Sequence, residues 1–480
     1  MISKLKSTEI KVLMLVVLEH NPYYPQIPIG TAYILSALRE LGIEPDILDL
    51  QLHKFNPSEF SSMLKRETYD VICYGFLFNS YQLAQQISQL TQAHSPNSRL
   101  IIGGSAPTAS PEFCLRSLQA NYAVIGEADD TIKEVINAIC GNQRLDTIKG
   151  ICYWLNGKPT LTAPRQACRN IDELPFPAYD RFDMQTYLRA AIPPGHRHNR
   201  YATVLTSRGC PYQCNFCFHT GGFRFRSAGN VIEELEWLVR NYQVDFVYFI
   251  DDVFMFSKKR VEELCDAILK SGLTFHFKIK ARVNLVDAEM LATLKRAGCV
   301  SIFYGIESAD QGILDYMNKK NTVEQILNAI RLTQEAGILV HTSGMLGQPP
   351  ETVETAEKTI ALMAELNDGH ENHPRVLCAL TPYPGSEVYH YAVRQGLLED
   401  EQSFVDAFKS QYKPFINLTS LDDQTYADLL EKADRVITTA WASKRIHYLS
   451  EALANGRMPK DIFEEHLLNL NRIKTKLGLS

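Results

Sequence analysis

The sequence lacks a hydrophobic run long enough to cross a membrane. The longest apolar run near its start, VLMLVVL at Val12–Leu18, is far shorter than the roughly 20 residues that a membrane-spanning helix needs. No small-residue cleavage site follows it, so we expect a cytoplasmic protein without a membrane span. The chain also lacks an excess of positive charge, since 49 Lys and Arg against 55 Asp and Glu give a formal charge of −6. Nucleic acid and anionic lipid are therefore poor candidates for a partner.

Tandem repeats, low-complexity tracts and a regular cysteine framework are also missing. The eleven cysteines, an odd number, are scattered except for one cluster. This distribution fits a reducing compartment with mostly buried thiols and one metal site. Because 480 residues exceed what one hydrophobic core usually supports, we expect two or three domains.

Residues 1–145 alternate short β-branched runs with amphipathic segments. The runs KVLMLVV, PDILDL, DVICYGF, RLIIGG and YAVIG predict strands, and helical segments such as GTAYILSALRELG separate them. This pattern predicts an α/β domain with a flavodoxin-like, Rossmann-type parallel sheet. Ligands of such sheets bind at the carboxyl ends of the strands, which here carry GFLFNS, GGSAPT and GEADDT.

The rest of the chain predicts three further regions. Residues 146–198 are irregular and proline-rich, which predicts a linker or lid, with Pro175–Gly195 placed to cover a gap between domains. Six strand and helix pairs over residues 199–398 predict a partial (β/α)6 TIM-like barrel, two pairs short of the eightfold barrel. Residues 399–480 show helical periodicity only, so we expect a helical C-terminal region.

The cysteine cluster SRGCPYQCNFC directly follows the first barrel strand. It contains Cys210, Cys214 and Cys217. Four thiolates would close a zinc site or saturate an iron–sulfur cluster, whereas three leave one position open. A cubane cluster with one free iron fits this pattern. The alternative is a zinc site whose fourth ligand is His219 or a distant residue.

This loop resembles that of the radical S-adenosylmethionine superfamily. The motifs FIDDVF, KARVN, FYGIESADQGILDYMNKKNT, GMLGQPPET and TPYPGS follow it in order, and over residues 200–390 they resemble the strand-end motifs of the cobalamin-dependent branch. The resemblance implies a 4Fe-4S cluster on the three cysteines, whose free iron chelates S-adenosylmethionine. It also implies S-adenosylmethionine contacts from strand-end residues, namely Asp251, Asp252, Arg282, Glu307, Ser308, Gly347, Tyr383 and Gly385. Arg208 either adds positive potential at the cluster or anchors the loop.

The first domain resembles the cobalamin-binding domain of the same family. PQIPIGTAYILSALRELG, GGSAPT and VIGEADDTIKEVI carry that resemblance. It implies a cobalamin site formed by Pro28, Gly30, Gly75, Ser80, Gly103, Gly104, Ser105, Thr108, Gly126 and Glu127. The chain has no Asp-x-His-x-x-Gly segment, so no histidine is offered as lower cobalt ligand, and GGSAPT has serine and alanine where proline and histidine are frequent. The alternative is a vestigial sheet that only shapes the substrate cavity.

The resemblance implies methylation of an unactivated carbon in a small molecule, through a 5'-deoxyadenosyl radical and methylcobalamin. It further implies an external electron donor such as flavodoxin or ferredoxin. A cobalamin-dependent cyclisation, oxidation or rearrangement without methyl transfer is the first alternative, and a non-catalytic zinc and cobalamin binding protein is another. Methylthiolation is disfavoured because Cys73, Cys114 and Cys140 are too dispersed for a second three-cysteine set. No general acid or base can be named from the sequence.

Overall fold

A computed structural model describes residues 10–18, 25–189, 200–218, 222–367, 369, 376–409, 415–455, 458 and 460–476. The first sheet contains the strands β1 (Val12–Val16), β2 (Asp46–Asp49), β3 (Val71–Gly75), β4 (Arg99–Gly103), β5 (Tyr122–Val124), β6 (Ile151–Leu155) and β7 (Lys158–Leu161). The helices that accompany it are α1 (Ile29–Arg39), α2 (Pro57–Arg66), α3 (Tyr81–His94), α4 (Ser105–Ala109), α5 (Pro111–Ser117) and α6 (Asp129–Ile139). The sheet order is β2-β1-β3-β4-β5-β6-β7, and β1 to β5 are parallel. The expected Rossmann-type domain is therefore confirmed.

The first sheet extends past residue 145 through an antiparallel hairpin. Strand β6 pairs with β5, and β7 pairs with β6. Asn156 and Gly157 form its two-residue turn with φ of +51° and +75°, the conformation that Asn-Gly adopts in tight hairpins. Residues 146–198 were expected to be irregular from their start, and this part of the prediction is wrong.

The following segment packs between the two domains. The Ser36 hydroxyl of α1 donates to the carbonyl of Phe176 at 2.6 Å, and the buried Tyr179 hydroxyl donates to Glu234 at 2.6 Å. The short helix α7 (Met184–Tyr187) comes next. Residues 190–198 of the expected lid lie outside the described residues.

The second sheet forms a partial barrel. The strands of this part of the chain are β8 (Tyr201–Val204), β9 (Ser207–Arg208), β10 (Arg224–Phe225), β11 (Phe246–Phe249), β12 (His276–Ala281), β13 (Cys299–Glu307), β14 (Leu339–Leu346) and β15 (Val376–Ala379). Two of these strands, β9 and β10, form a separate ribbon. The other six pair in parallel in the order β15-β14-β13-β12-β11-β8. This arrangement confirms the expected six-stranded partial barrel.

Each barrel helix begins at a Ser, Thr or Asp whose side chain accepts a backbone N–H. The helices are α8 (Ala228–Tyr242), α9 (Lys258–Ser271), α10 (Ala288–Arg296), α11 (Gln311–Tyr316), α12 (Val323–Glu335), α13 (Val353–Glu365) and α14 (Glu387–Arg394). Their cap residues are Ser227, Ser257, Asp287, Asp310, Thr322, Thr352 and Ser386. These caps satisfy backbone donors that the first helical turn leaves unpaired.

The C-terminal region is helical, as expected. It contains α15 (Glu401–Ala407), α16 (Asp423–Ala454) and α17 (Lys460–Lys476). Buried hydrophobic residues form a cluster that runs from β1 of the first sheet into β8 of the barrel. The two domains therefore share a core. Among the described residues, no helix is long and apolar enough to span a membrane.

Candidate active site

A cavity of about 550 Å³ lies at the carboxyl ends of β1, β3, β4 and β5. Three residues of the barrel also line it: Leu205, Arg208 and Ile250. The first sheet and the barrel thus face the same space. Its volume is in the range of small-molecule and cofactor sites.

Glycines leave room in this cavity. A side-chain carbon built at Gly30 or Gly126 would meet no atom within 4 Å, so both positions leave open space that a broad ligand can fill. Gly104 has φ of +90°, and a side chain there would come within 2.8 Å of the Phe76 backbone, so this glycine is needed to pack the two loops. The largely apolar walls suit a corrin ring.

Eight of the ten residues expected to bind cobalamin line this cavity. They are Pro28, Gly30, Gly75, Gly103, Gly104, Ser105, Gly126 and Glu127. Ser80 does not line it and is buried beside Asn79. Thr108 does not line it either: its hydroxyl donates to the Gly104 carbonyl at 2.7 Å and accepts the Gly126 N–H at 3.0 Å. Thr108 therefore ties together the two loops that form the wall.

Ion pairs cross the domain interface at the edge of this cavity. Arg208 binds both oxygens of Asp129 at 2.8 and 3.0 Å, and Arg224 binds Glu127 at 2.5 and 3.0 Å. Burial would lower the pKa of Arg208, but its hydrogen bonds to Asp129 raise the pKa overall, so the guanidinium stays charged. Arg208 also lies over the Tyr33 ring, 4.6 Å from its centroid. Of the two roles expected for Arg208, these contacts match the loop anchor.

The cysteine loop is fixed by hydrogen bonds to the barrel. The Asn215 N–H donates to the Met317 carbonyl at 3.0 Å, and the Asn318 side chain donates to the Gln213 carbonyl at 2.7 Å. On the other side, the Val388 N–H of α14 donates to the Asn215 carbonyl at 3.2 Å. Residues that follow β13 and β15 therefore hold the loop across the mouth of the barrel.

The three thiols differ in exposure. Cys214 is buried, Cys210 is half-buried, and Cys217 is exposed toward a second cavity of about 550 Å³ that Cys214 also lines. Desolvation raises the pKa of Cys210, and it raises the pKa of Cys217 to about 12. Free thiols at Cys210 and Cys217 would therefore keep their protons at neutral pH, and binding to a metal centre would displace them.

The donor set fits a cubane cluster, because each thiolate of such a cluster binds a different iron. Within the described residues, no three His, Cys, Asp or Glu side chains are gathered so that they could hold one metal ion. His219, the alternative zinc ligand, lies outside the part of the chain that the structure describes.

Arg282 lies beside the cysteine loop. Its Nη1 is 3.8 Å from the Cys214 sulfur, and its guanidinium stacks on Tyr212 at 3.6 Å from the ring centroid. It is 7% exposed, and Nη2 donates to the Lys319 carbonyl. The expected position of Arg282 at the barrel mouth thus agrees with the structure, while its contact with a ligand stays a prediction.

Glu307 forms an ion pair with Lys319, a residue that no motif of the sequence indicates. Lys319 Nζ donates to Glu307 Oε1 at 2.6 Å, and each side chain is about 10% exposed. In the sequence, Lys319 stands in NKKN, where a lysine looks like any solvated charge. Lys319 lies three residues after the end of α11, and this position does not indicate that its side chain pairs with a buried carboxylate.

Asp251 and Ser308 form hydrogen bonds with neighbouring protein groups. Asp251 is fully buried and accepts the Thr206 N–H and hydroxyl at 3.0 Å each, together with the Ser207 hydroxyl. Burial raises the pKa of Asp251. Ser308 is also fully buried, with its hydroxyl 3.1 Å from that of Thr359. Both residues hold strand ends in place, and their expected contacts with a ligand stay predictions. Asp252 is exposed near Cys210, whose pKa it raises.

Two glycines that were expected to face a ligand lie against protein side chains, which leave no room for a Cβ atom. Gly347 has φ of +113°, and a side chain there would collide with Tyr426 of α16, whose hydroxyl donates to the Leu346 carbonyl at 3.1 Å. Gly385 has φ of +92°, and a side chain there would lie 2.6 Å from the Phe218 ring. The geometry of the barrel mouth therefore depends on the C-terminal helix and on the residue after the last cysteine.

Tyr383 packs in an aromatic cluster. Its ring centroid is 5.8 Å from that of Phe404 and 5.9 Å from that of Phe408. The stacking of Tyr383 on an adenine stays a prediction.

Comparison with protein families matches both halves of the chain. A family model described as the radical SAM superfamily matches residues 204–363, and one described as the B12 binding domain matches residues 15–136. The first match contains the cysteine loop, Arg282 and Glu307. The second contains the strand ends that line the first cavity.

The curated relatives include methyltransferases and a cyclase. An uncharacterized methyltransferase of Pyrococcus horikoshii, PH0819, is 29% identical over 92% of this chain and 90% of its own length. The cytidylyl-2-hydroxyethylphosphonate methyltransferase of Streptomyces wedmorensis is 25% identical over 85% of each chain. The anaerobic magnesium-protoporphyrin IX monomethyl ester cyclase of Rubrivivax gelatinosus is 24% identical over 75% of this chain and 65% of its own.

Two solved structures share the fold. The cobalamin-dependent S-adenosylmethionine radical enzyme OxsB, with aqua-cobalamin bound, superposes with a TM-score of 0.64 at 20% identity, covering 86% of this chain. This chain spans only 58% of OxsB. The radical S-adenosylmethionine methyltransferase TsrM of Kitasatospora setae, with cobalamin and a 4Fe-4S cluster bound, has a TM-score of 0.64 at 17% identity, covering 80% of this chain and 74% of TsrM.

Proposed function

Because the chain belongs to the cobalamin-dependent radical S-adenosylmethionine enzymes, we propose that it methylates an unactivated carbon of a small-molecule substrate. One observation supports this above the others: the cavity at the edge of the first sheet is also lined by barrel residues that adjoin the cysteine loop. A methyl donor in that cavity would face the same space as a radical source in the barrel.

The cofactors of this enzyme class are a 4Fe-4S cluster, S-adenosylmethionine and cobalamin. When bound, the cluster and S-adenosylmethionine supply one-electron radical chemistry, and cobalamin supplies the methyl group. The electron for this chemistry would come from an external donor such as a flavodoxin or ferredoxin.

We assign the cluster to Cys210, Cys214 and Cys217. Their loop is held from two sides by hydrogen bonds to the backbone of Gln213 and Asn215, which fixes its position at the mouth of the barrel. Arg282 places its guanidinium 3.8 Å from the Cys214 sulfur. Its planar guanidinium also suits the carboxylate of S-adenosylmethionine.

We assign the corrin to the first cavity. Gly30 and Gly126 leave the space for it, and the ion pair of Arg208 with Asp129 closes one edge toward the barrel. Tyr179 and the segment around it fill the gap between α1 and α8. Exclusion of water from this interface would protect a substrate radical from quenching.

A cobalamin-linked radical cyclisation or oxidation is the second candidate. The relationship to a cyclase over 75% of this chain favours it. The two candidates differ in how they use S-adenosylmethionine, because only methyl transfer consumes a second molecule to restore the methyl donor.

The test uses full-length protein, reconstituted anaerobically with iron, sulfide and hydroxocobalamin. It is incubated with a reductant, S-adenosylmethionine carrying a deuterated methyl group, and a metabolite and lipid extract of the source cells. Methyl transfer predicts 5'-deoxyadenosine, S-adenosylhomocysteine and a product that gains the labelled methyl. Productive turnover that gives 5'-deoxyadenosine without S-adenosylhomocysteine would support the cyclase candidate and reject methylation.

Two cysteine variants provide the matched comparison. Cys214→Ala removes a proposed cluster ligand, and we expect it to make no 5'-deoxyadenosine. Cys168→Ala changes a half-buried cysteine outside the cluster, and we expect it to keep the activity. If both variants still form the product, the assignment of the cluster is wrong.

A further inference from the structure

Lys319 lies in an unusual stretch of backbone. Its neighbours Asn318 and Lys320 have φ of +55° and +57°, and its ion-pair partner Glu307 has φ of +65°. Left-handed conformations are unfavourable for residues with a Cβ atom. Three of them around one buried ion pair indicate that the surrounding structure holds this pair in a specific position.

The ion pair belongs to a chain of charged groups. Lys319 Nζ donates to Glu307 Oε1 at 2.6 Å, and the Lys319 carbonyl accepts a hydrogen bond from Arg282. All three side chains are largely buried. Removing charges from water is costly, so two cations and one carboxylate at this place are not explained by fold stability alone.

This chain of charges touches the cysteine loop at two points. Lys319 Nζ lies 5.8 Å from the ring centroid of Phe216, the residue just before Cys217. Arg282 Nη1 lies 3.8 Å from the Cys214 sulfur. A cluster bound by this loop would therefore have the Lys319 ammonium and the Glu307 carboxylate as near neighbours of opposite charge.

We propose that Lys319 is a positioning residue that holds the Glu307 carboxylate and raises the reduction potential of the cluster bound by the adjacent cysteines. Reduction adds one negative charge to the cluster, so a nearby cation stabilises the reduced state and a nearby anion destabilises it. The burial of the pair strengthens both effects because little solvent screens them. The inference depends on the proposed ligation by the three cysteines and is independent of methyl transfer.

The test is an anaerobic redox titration of reconstituted protein, followed by electron paramagnetic resonance, with iron and sulfide content measured in parallel. Lys319→Met leaves the Glu307 carboxylate unbalanced, and we expect a lower midpoint potential than in the wild type. Glu307→Gln leaves the Lys319 charge unbalanced, and we expect a higher one. The double variant should fall between the two, and Lys319→Arg should stay close to the wild type.

Lys320→Met is the matched control, because Lys320 is the exposed neighbour in the same turn. We expect it to keep the wild-type potential. Equal shifts in Lys320→Met and Lys319→Met, or an unchanged potential in Lys319→Met with full iron content, would overturn the proposal. If Lys319→Met fails to fold, the upward shift in Glu307→Gln carries the test, and its absence overturns the proposal. Wild-type protein that binds no cluster would instead reject the ligation on which the proposal depends.

Discussion

Arg208 and Asp129 form a two-pronged ion pair across the domain interface, with distances of 2.8 and 3.0 Å. Arg208 stands two residues before the first cysteine of the loop, and Asp129 is the first residue of α6 in the cobalamin-binding domain. The side chains are only 13% and 11% exposed. The ion pair therefore couples the position of the cysteine loop to that of the wall of the first cavity.

This pair gives the first prediction. Arg208→Met leaves Asp129 and Glu127 with a lost partner in a poorly solvated place, so we expect a loss of about 3 kcal/mol in the free energy of unfolding. The variant should also retain less hydroxocobalamin after desalting. The control Arg116→Met removes an exposed ion pair to Glu112 and should cost less than about 1 kcal/mol. Urea denaturation and corrin absorbance check both, and equal behaviour of the two variants would contradict the importance of the interface.

The second prediction concerns the open space at Gly30. Gly30→Leu replaces the second residue of α1, where helix propensity favours leucine over glycine by roughly 0.5–1 kcal/mol. We expect thermal stability to be kept or raised while corrin retention is lost, because the new side chain occupies the cavity. Gly229 is the second residue of α8 and also has open space around it. Gly229→Leu should therefore keep the stability and the corrin, and loss of corrin in both variants would argue against the cavity as the cobalamin site.

The third prediction tests the link between the C-terminal helix and the barrel mouth. Gly347→Ala introduces a Cβ atom at φ of +113°, against the Tyr426 hydroxyl, and we expect a loss of about 2–4 kcal/mol from strain and collision. Tyr426→Phe alone loses the hydrogen bond to Leu346, at about 1 kcal/mol. In the double variant the hydroxyl is gone, so the combined loss should be smaller than the sum. Strict additivity in urea denaturation would show that the two residues do not meet.

The fourth prediction is a pH dependence from Glu351, which is 1% exposed and accepts the Gly347 N–H at 2.9 Å. Burial raises the pKa of Glu351 above its usual value, so the folded state takes up this proton at a higher pH than the unfolded state does. Its effect on stability is therefore most favourable at low pH and is lost as the pH rises through the folded pKa. Glu351→Gln removes this titration. The unfolding free energy of the variant minus that of the wild type should decrease as the pH falls from 7.5 to 4.5, and a constant difference would contradict the assignment.

The parallel strands could be predicted from the sequence because each is a short, β-branched run followed by an amphipathic segment. The helix expected between β2 and β3 could not be located from its residues, because the sequence of α2, PSEFSSMLKR, is mostly polar and buries only Phe60 and Leu64. The hairpin of β6 and β7 was missed although Asn156-Gly157 is a strong turn signal, since the proline-rich stretch after it dominated the interpretation. The ribbon of β9 and β10 has two residues in each strand, too few for any periodicity.

The candidate site was predictable where residue type and strand end coincide, and not where the partner is distant in sequence. Gly75 and Gly103, which line the first cavity, are the last residues of β3 and β4, and the cysteines form one short loop. By contrast, the pairing of Arg208 with Asp129 and that of Lys319 with Glu307 depend on how loops meet in space. Asp251 stands at a strand end with the right chemistry, and its carboxylate also holds Thr206 and Ser207 in place, a structural role that its place in the sequence does not indicate.

The hairpin at the end of the first sheet has a consequence for how copies of this protein meet. Strand β7 forms the outer edge of that sheet and contains Lys158 and Pro159. An unpaired edge strand offers backbone N–H and C=O groups to any extended chain nearby. A proline lacks the N–H that such pairing needs, and lysine side chains of two paired copies would repel each other. At this edge of the sheet, the hairpin therefore disfavours pairing with a strand of another copy.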